Sequence, residues 1–234
     1  MPTRYRWYRI KLPKGDLDLR RTLLARPLRA GSNFGFAPIG DQPNESDFRF
    51  LWRTALIVTR FTPDDEPYHE PVQTIDWLRL SIVDVNKMKF LRIENPIRNL
   101  RELMNAIESI VGLGFTCSPV TFEANRPNLF LERVESSRLV VFKIVGAMAG
   151  EDVVSRMEFV SKGGIDLHTL PISRKLRYKV DVSVFECAFR GSRGQVSISS
   201  SGVVKVSGAL APRLAYLIEK ELPTVIGDHG RNPN

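Results

Sequence analysis

Residues 176–189, LRYKVDVSVFECAF, alternate apolar with polar side chains along most of their length. A period of two sends successive side chains to opposite faces of an extended chain, a pattern that fits a strand and not a helix. Residues 48–61, FRFLWRTALIVTRF, form a second long run dense in β-branched and aromatic residues. Two such runs commit the chain to a sheet-based fold.

Shorter strands follow from the same reading. TIDWLRLSIVDV (74–85) and MKFLRI (88–93) flank Asn86-Lys87, which has the length of a tight hairpin turn. LFLERV (129–134) and RLVVFKIVGAM (138–148) read as a hairpin around Glu135-Ser136-Ser137. RGSRG (190–194) is a turn, and QVSIS and VVKVS are two short strands beyond it. EDVVSRMEFVSK (151–162) fits a helix or a strand, and TPDDEPYHEP (62–71) reads as an acidic connection.

Two segments have helical periodicity. Leu100, Leu103, Met104, Ile107, Ile110 and Val111 line one face, with Asn95-Pro96 ahead of them and Gly112 and Gly114 as stops. Leu214, Leu217, Ile218 and Leu222 line another, opened by Pro212 and closed by Pro223. Residues 16–29 hold a short helix or an extended arm ending at Pro27. The expected class is α+β: a mostly antiparallel sheet with two main amphipathic helices packed on one face. The expected divisions are a basic arm or edge strand (1–29), a strand-hairpin-helix half (30–118), a strand-rich half (119–226) and a disordered tail (227–234), together forming one compact unit.

Each helix follows a hairpin, and each hairpin follows a longer strand, which suggests a pseudo-duplicated strand-hairpin-helix unit. At the level of topology this order is similar to the saddle of TATA-binding-protein-like domains. That resemblance implies a curved sheet gripping nucleic acid. No site residue is carried over from it, because the family's intercalating phenylalanines and its asparagine pair have no matched positions here.

The charge layout narrows the choice of partner. The formal net charge is +8, yet residues 1–29 alone hold nine cations against two acids, Asp16 and Asp18, a local +7. The remaining 205 residues, with 25 basic and 24 acidic groups, are close to neutral. Arg4, Arg6, Arg9, Lys11, Lys14, Arg20 and Arg21 are interleaved with Tyr5, Trp7 and Tyr8 near the start of the chain. Guanidinium groups match phosphate oxygens, and aromatic rings such as that of Trp7 stack on unpaired bases. The alternatives for this segment are a solvated edge strand with a cationic face and a docking arm for an acidic protein. A second cluster, Arg174, Lys175, Arg177 and Lys179, leads into the long strand, and Arg190 and Arg193 sit at its far turn beside Gly191 and Gly194. A solvated strand start is the plainer reading of that cluster.

Catalytic signatures are sparse. The histidines are His69, His168 and His229, and none has a metal-ligand spacing. Cys117 and Cys187 lie in apolar runs and read as two buried thiols in a reducing compartment. Asp64, Asp65 and Glu66 resemble the opening of a PD-(D/E)xK nuclease signature, but the downstream acid–spacer–lysine tripeptide is missing. The GLGF string at 112–115 terminates a helix here and does not open a carboxylate-binding loop. There is no GxxxxGK[ST] loop, no GxGxxG after a strand and no GxSxG elbow.

No run approaches the ~20 apolar residues of a membrane helix, and the N-terminus lacks the apolar core of a secretory signal. The expected location is cytoplasmic or nucleoid/nuclear, with organellar targeting as a second reading of the Arg-rich start. The sequence therefore predicts a nucleic-acid-binding protein, DNA or RNA undecided, that works without catalysis or cofactor and contacts phosphate backbones. A non-catalytic subunit of a larger protein complex and a metal-dependent nuclease are the alternatives.

Overall fold

The computed structural model describes residues 1–13, 17–40, 46–122, 129–147, 154–170 and 178–227. The chain forms strands β1 (Thr3–Lys11), β2 (Phe34–Pro38), β3 (Asp47–Phe61), β4 (Pro67–Val85), β5 (Met88–Glu94) and β6 (Thr116–Pro119) in its first half. In its second half it forms β7 (Ser136–Ala147), β8 (Val154–Val160), β9 (Tyr178–Phe189), β10 (Ser192–Ser199) and β11 (Val203–Val206). The helices are α1 (Leu19–Leu24), α2 (Arg101–Val111), α3 (Leu129–Glu132) and α4 (Ala211–Gly227), with a 3-10 turn at Gly208–Leu210. The hydrogen-bonded strand order is β2-β3-β4-β5-β1-β11-β10-β9-β7-β8, and β6 pairs with β1.

This corrects the expected fold class. Strand accounts for 51% of the described residues and helix for 19%, in a single eleven-stranded sheet with only one long helix. The expected pair of main amphipathic helices on one face is not formed. α2 runs for 11 residues and stops at Gly112, whose φ of 96° an L side chain rarely adopts, whereas α4 runs for 17. The duplicated strand-hairpin-helix unit, which needed two matched helices, goes with it. The strand share is larger because the ladder of β3 with β4 continues through much of the stretch read as connection, beginning again at Pro67. Residues 154–160 of the ambiguous segment are strand. The hairpin partner expected at 129–134 is instead the short helix α3. Pro223 does not close α4. It is carried inside the helix, which continues to Gly227 at the cost of one backbone hydrogen bond.

The chain divides into two compact units. One comprises Ile10–Ile82 and Pro96–Cys117. It buries Leu19 and Leu23 of α1, Phe36 of β2, Phe48 and Phe50 of β3, Leu78 and Leu80 of β4, and Leu103, Ala106 and Ile107 of α2. Asp18 caps α1 by accepting from the Arg21 amide at 3.0 Å. The chain entering β2 passes so close to Leu28 that a Cβ on Gly35 would stand 2.0 Å from the Leu28 nitrogen, so only glycine fits.

The other unit comprises Met1–Arg9, Val83–Asn95 and Ser118–Asn234. Here β1 is an interior strand between β5 and β11, with register Thr3↔Val206 to Arg6↔Val203. Its core joins Tyr5, Trp7, Phe90, Val196, Val204 and Val206 of the sheet to Leu214, Ile218 and Leu222 of α4. A smaller cluster of Phe142, Ile144 and Val180 serves β7 and β9, with Met157 and Phe159 of β8 packed against it.

Candidate nucleic-acid interface

The turn between β9 and β10 is made by Arg190 (φ 50°) and Gly191 (φ 74°), two successive left-handed residues. This is the backbone of a two-residue hairpin turn whose twist matches its strands. Glycine takes the second position freely, and Arg190 holds the first at some conformational cost. The Arg190 carbonyl accepts from Arg213 Nη1 at 3.1 Å, which ties the turn to the first turn of α4.

Arg213, Tyr216, Leu217 and Lys220 follow one another at helical spacing and share a face of α4. Lys220 Nζ lies 4.6 Å from the Tyr216 ring centre, and the Arg190 guanidinium lies 5.4 Å from that of Phe189. These side chains, with Pro212, line a concavity of about 270 Å³. Its lining holds three cations and two aromatic rings and no acid.

A second basic feature lies on the sheet. Arg4 of β1 and Lys205 of β11 are direct cross-strand partners, and both are exposed. Like charges placed opposite each other on a sheet are unfavourable unless an anion lies between them. Arg6, half-buried, shares that face of β1, with its guanidinium 5.3 Å from the Tyr8 ring centre.

The remaining residues singled out in the sequence are dispersed. Trp7 is fully buried, and its indole nitrogen donates to Glu219 at 3.2 Å, so its ring is committed to the core. Tyr5 and Tyr8 are buried as well. Arg9 is half-buried and Lys11 exposed on β1, while Arg20 is half-buried and Arg21 exposed on α1. Lys179 is exposed near the start of β9, at the opposite end of that strand from Arg190. Arg193 is only three residues past Arg190 but lines a different concavity, beside Arg138 and Glu186, which pair with each other. Lys14, Arg174, Lys175 and Arg177 lie outside the described residues.

The structure thus joins Arg190 to Arg213, Tyr216 and Lys220, which sequence reading passed over. Their signal was present as the polar side of the last amphipathic helix, but nothing local ties that side to a hairpin turn more than twenty residues earlier.

Asp64, Asp65 and Glu66 are exposed at the turn joining β3 and β4. Among the described residues, no three His, Cys, Asp or Glu side chains cluster as a metal site would need. Among the same residues, no helix is long and apolar enough to cross a membrane. No protein-family model matches the sequence, and no curated protein matches it.

Proposed function

We propose that the protein binds nucleic acid through backbone phosphates, with the concavity between the β9–β10 turn and α4 as its main contact. The observation that carries this reading is the grouping of Arg190, Arg213 and Lys220 around Phe189 and Tyr216 with no acid on the lining. Arginine offers a planar fork to phosphate oxygens, and lysine a point charge. Tyr216, 59% exposed, presents a ring on which an unpaired base can stack. The Arg4–Lys205 pair supplies a second phosphate contact. The buried Trp7, Tyr5 and Tyr8 take no part, which moves the aromatic contribution from the N-terminal strand to α4.

The test is the salt dependence of binding to a single-stranded and a duplex oligonucleotide. Each phosphate contact contributes roughly −0.9 to the slope of log K against log salt on duplex DNA and roughly −0.7 on single strands. Arg190→Ala, Arg213→Ala and Lys220→Ala combined should flatten the slope by about 2 to 3. Tyr216→Ala should weaken single-strand binding by roughly 1–3 kcal/mol and leave the slope unchanged. An unaltered slope in the folded triple variant refutes the assignment. Deletion of the N-terminal segment is the wrong experiment, because it removes the interior strand β1 and Trp7 with it.

A further inference from the structure

Past Arg53, β3 and β4 continue as a two-stranded ribbon. Their ladder runs unbroken from Asp47↔Ser81 to Phe61↔Pro67, yet no side chain of residues 54–61 or 67–74 is buried. A two-stranded ribbon without a partner is marginal in water, because it has no apolar face to bury.

This ribbon nevertheless carries large apolar groups. Cross-strand partners share a face, so Arg53/Ile75, Ile57/Pro71 and Phe61/Pro67 lie together, on the opposite side from the buried Phe48 and Phe50. Ile57 is 75% exposed, Phe61 63%, Trp77 55% and Ile75 51%.

Charge is graded along the same face. Its base carries Arg49, exposed and 5.0 Å from the Trp77 ring centre, and Arg53, whose guanidinium is held by neutral carbonyls of Ser32 and Arg29. The turn at its far end carries the exposed acids Asp64, Asp65 and Glu66. A strip that is cationic at one end, apolar in the middle and anionic at the other is complementary to itself when turned end for end. A two-fold axis performs that turn.

We propose that this face is a self-association surface. The ribbons of two copies lie antiparallel and face to face, the acidic tip of each meeting the Arg49–Arg53 base of the other, with Ile57, Phe61, Ile75 and Trp77 covered between them. Twelve residue steps from Arg49 to Phe61 give a strip about 40 Å long at ~3.3 Å per residue. A strip two strands wide buries less than the ~800 Å² per partner of a standard interface. The dimer is therefore reversible and concentration-dependent.

Sedimentation velocity of the full chain over a hundred-fold concentration range tests the proposal. A monomer–dimer equilibrium that weakens with added salt is expected, and Ile57→Lys should shift it at least tenfold toward monomer. Asp64→Lys with Glu66→Lys should also shift it toward monomer, as should Arg49→Glu alone. All three charge changes in one chain should restore association relative to either set, a recovery that misfolding cannot produce. A wild-type chain that stays monomeric throughout overturns the proposal. So does a dimer indifferent to Ile57→Lys, or a combined variant no better than its parts.

Discussion

The indole nitrogen of Trp7 donates to the carboxylate of Glu219 at 3.2 Å, joining the first strand to the last helix across 212 positions of sequence. The same oxygen, Glu219 Oε1, accepts from Arg92 Nη1 at 2.8 Å. Glu219 is 5% exposed, a position where an unsatisfied carboxyl oxygen would be costly, and two donors meet it there. Glu219→Ala should destabilise the protein by roughly 1–3 kcal/mol, since it removes the acceptor of the buried Trp7 N–H and one of the partners of Arg92. Glu219→Gln, which keeps an acceptor for the indole, should cost less. Denaturant unfolding followed by tryptophan fluorescence separates the two.

Gly35→Ala tests the close approach beside β2. The added methyl would stand 2.0 Å from the Leu28 nitrogen and 2.4 Å from its Cα, both backbone atoms that cannot rotate away. The strand or the preceding segment must move, and the loss should reach about 2 kcal/mol or more, in the range of overpacked sites. A variant with unchanged thermal midpoint would show that this packing is loose.

Asp47 anchors the start of β3. Its carboxylate takes Arg79 Nε at 2.9 Å and also accepts from the Ser81 hydroxyl, whose residue is 1% exposed. Asp47→Ala leaves a buried hydroxyl and a guanidinium without this acceptor, and should cost roughly 1–3 kcal/mol. Asp47→Ala with Ser81→Ala should recover part of that loss, read as a coupling in a double-mutant cycle.

The two thiols predict an alkaline signature. Burial pushes Cys187 from 9.0 up to about 11 and Cys117 from 9.0 up to about 12. Between pH 9 and 11 the unfolded chain releases these protons while the native chain keeps them. Stability should therefore be insensitive to these groups below pH 9 and fall as pH rises through that window. Cys187→Ala should flatten the fall. A thiol reagent at pH 8 should react with the native protein far more slowly than with the unfolded chain, because little thiolate is present.

Sequence alone determined the longest strands and some of their turns. The long runs at 48–61 and 176–189 carry enough β-branched and aromatic side chains to specify β3 and most of β9 by local pattern. Asn86 and Lys87, both at positive φ, make the turn that the spacing of their flanks requires. The buried face of α4, with Leu214, Ile218 and Leu222, was equally legible from its period.

Tertiary structure decided everything that depends on which strands become neighbours. Arg4, Arg6 and Trp7 looked like one Arg/aromatic contact segment. Packing against α4 buried the ring, and pairing of β1 with β11 placed Arg4 opposite Lys205. No local rule reveals this, because a strand's two faces acquire their environments only when the sheet and α4 assemble around it. The same holds for Arg190, Arg213 and Lys220, which form one concavity only because the β9–β10 turn lies against the start of α4. Charge content is a property of composition, whereas a binding surface depends on the register and packing that bring separate cations together.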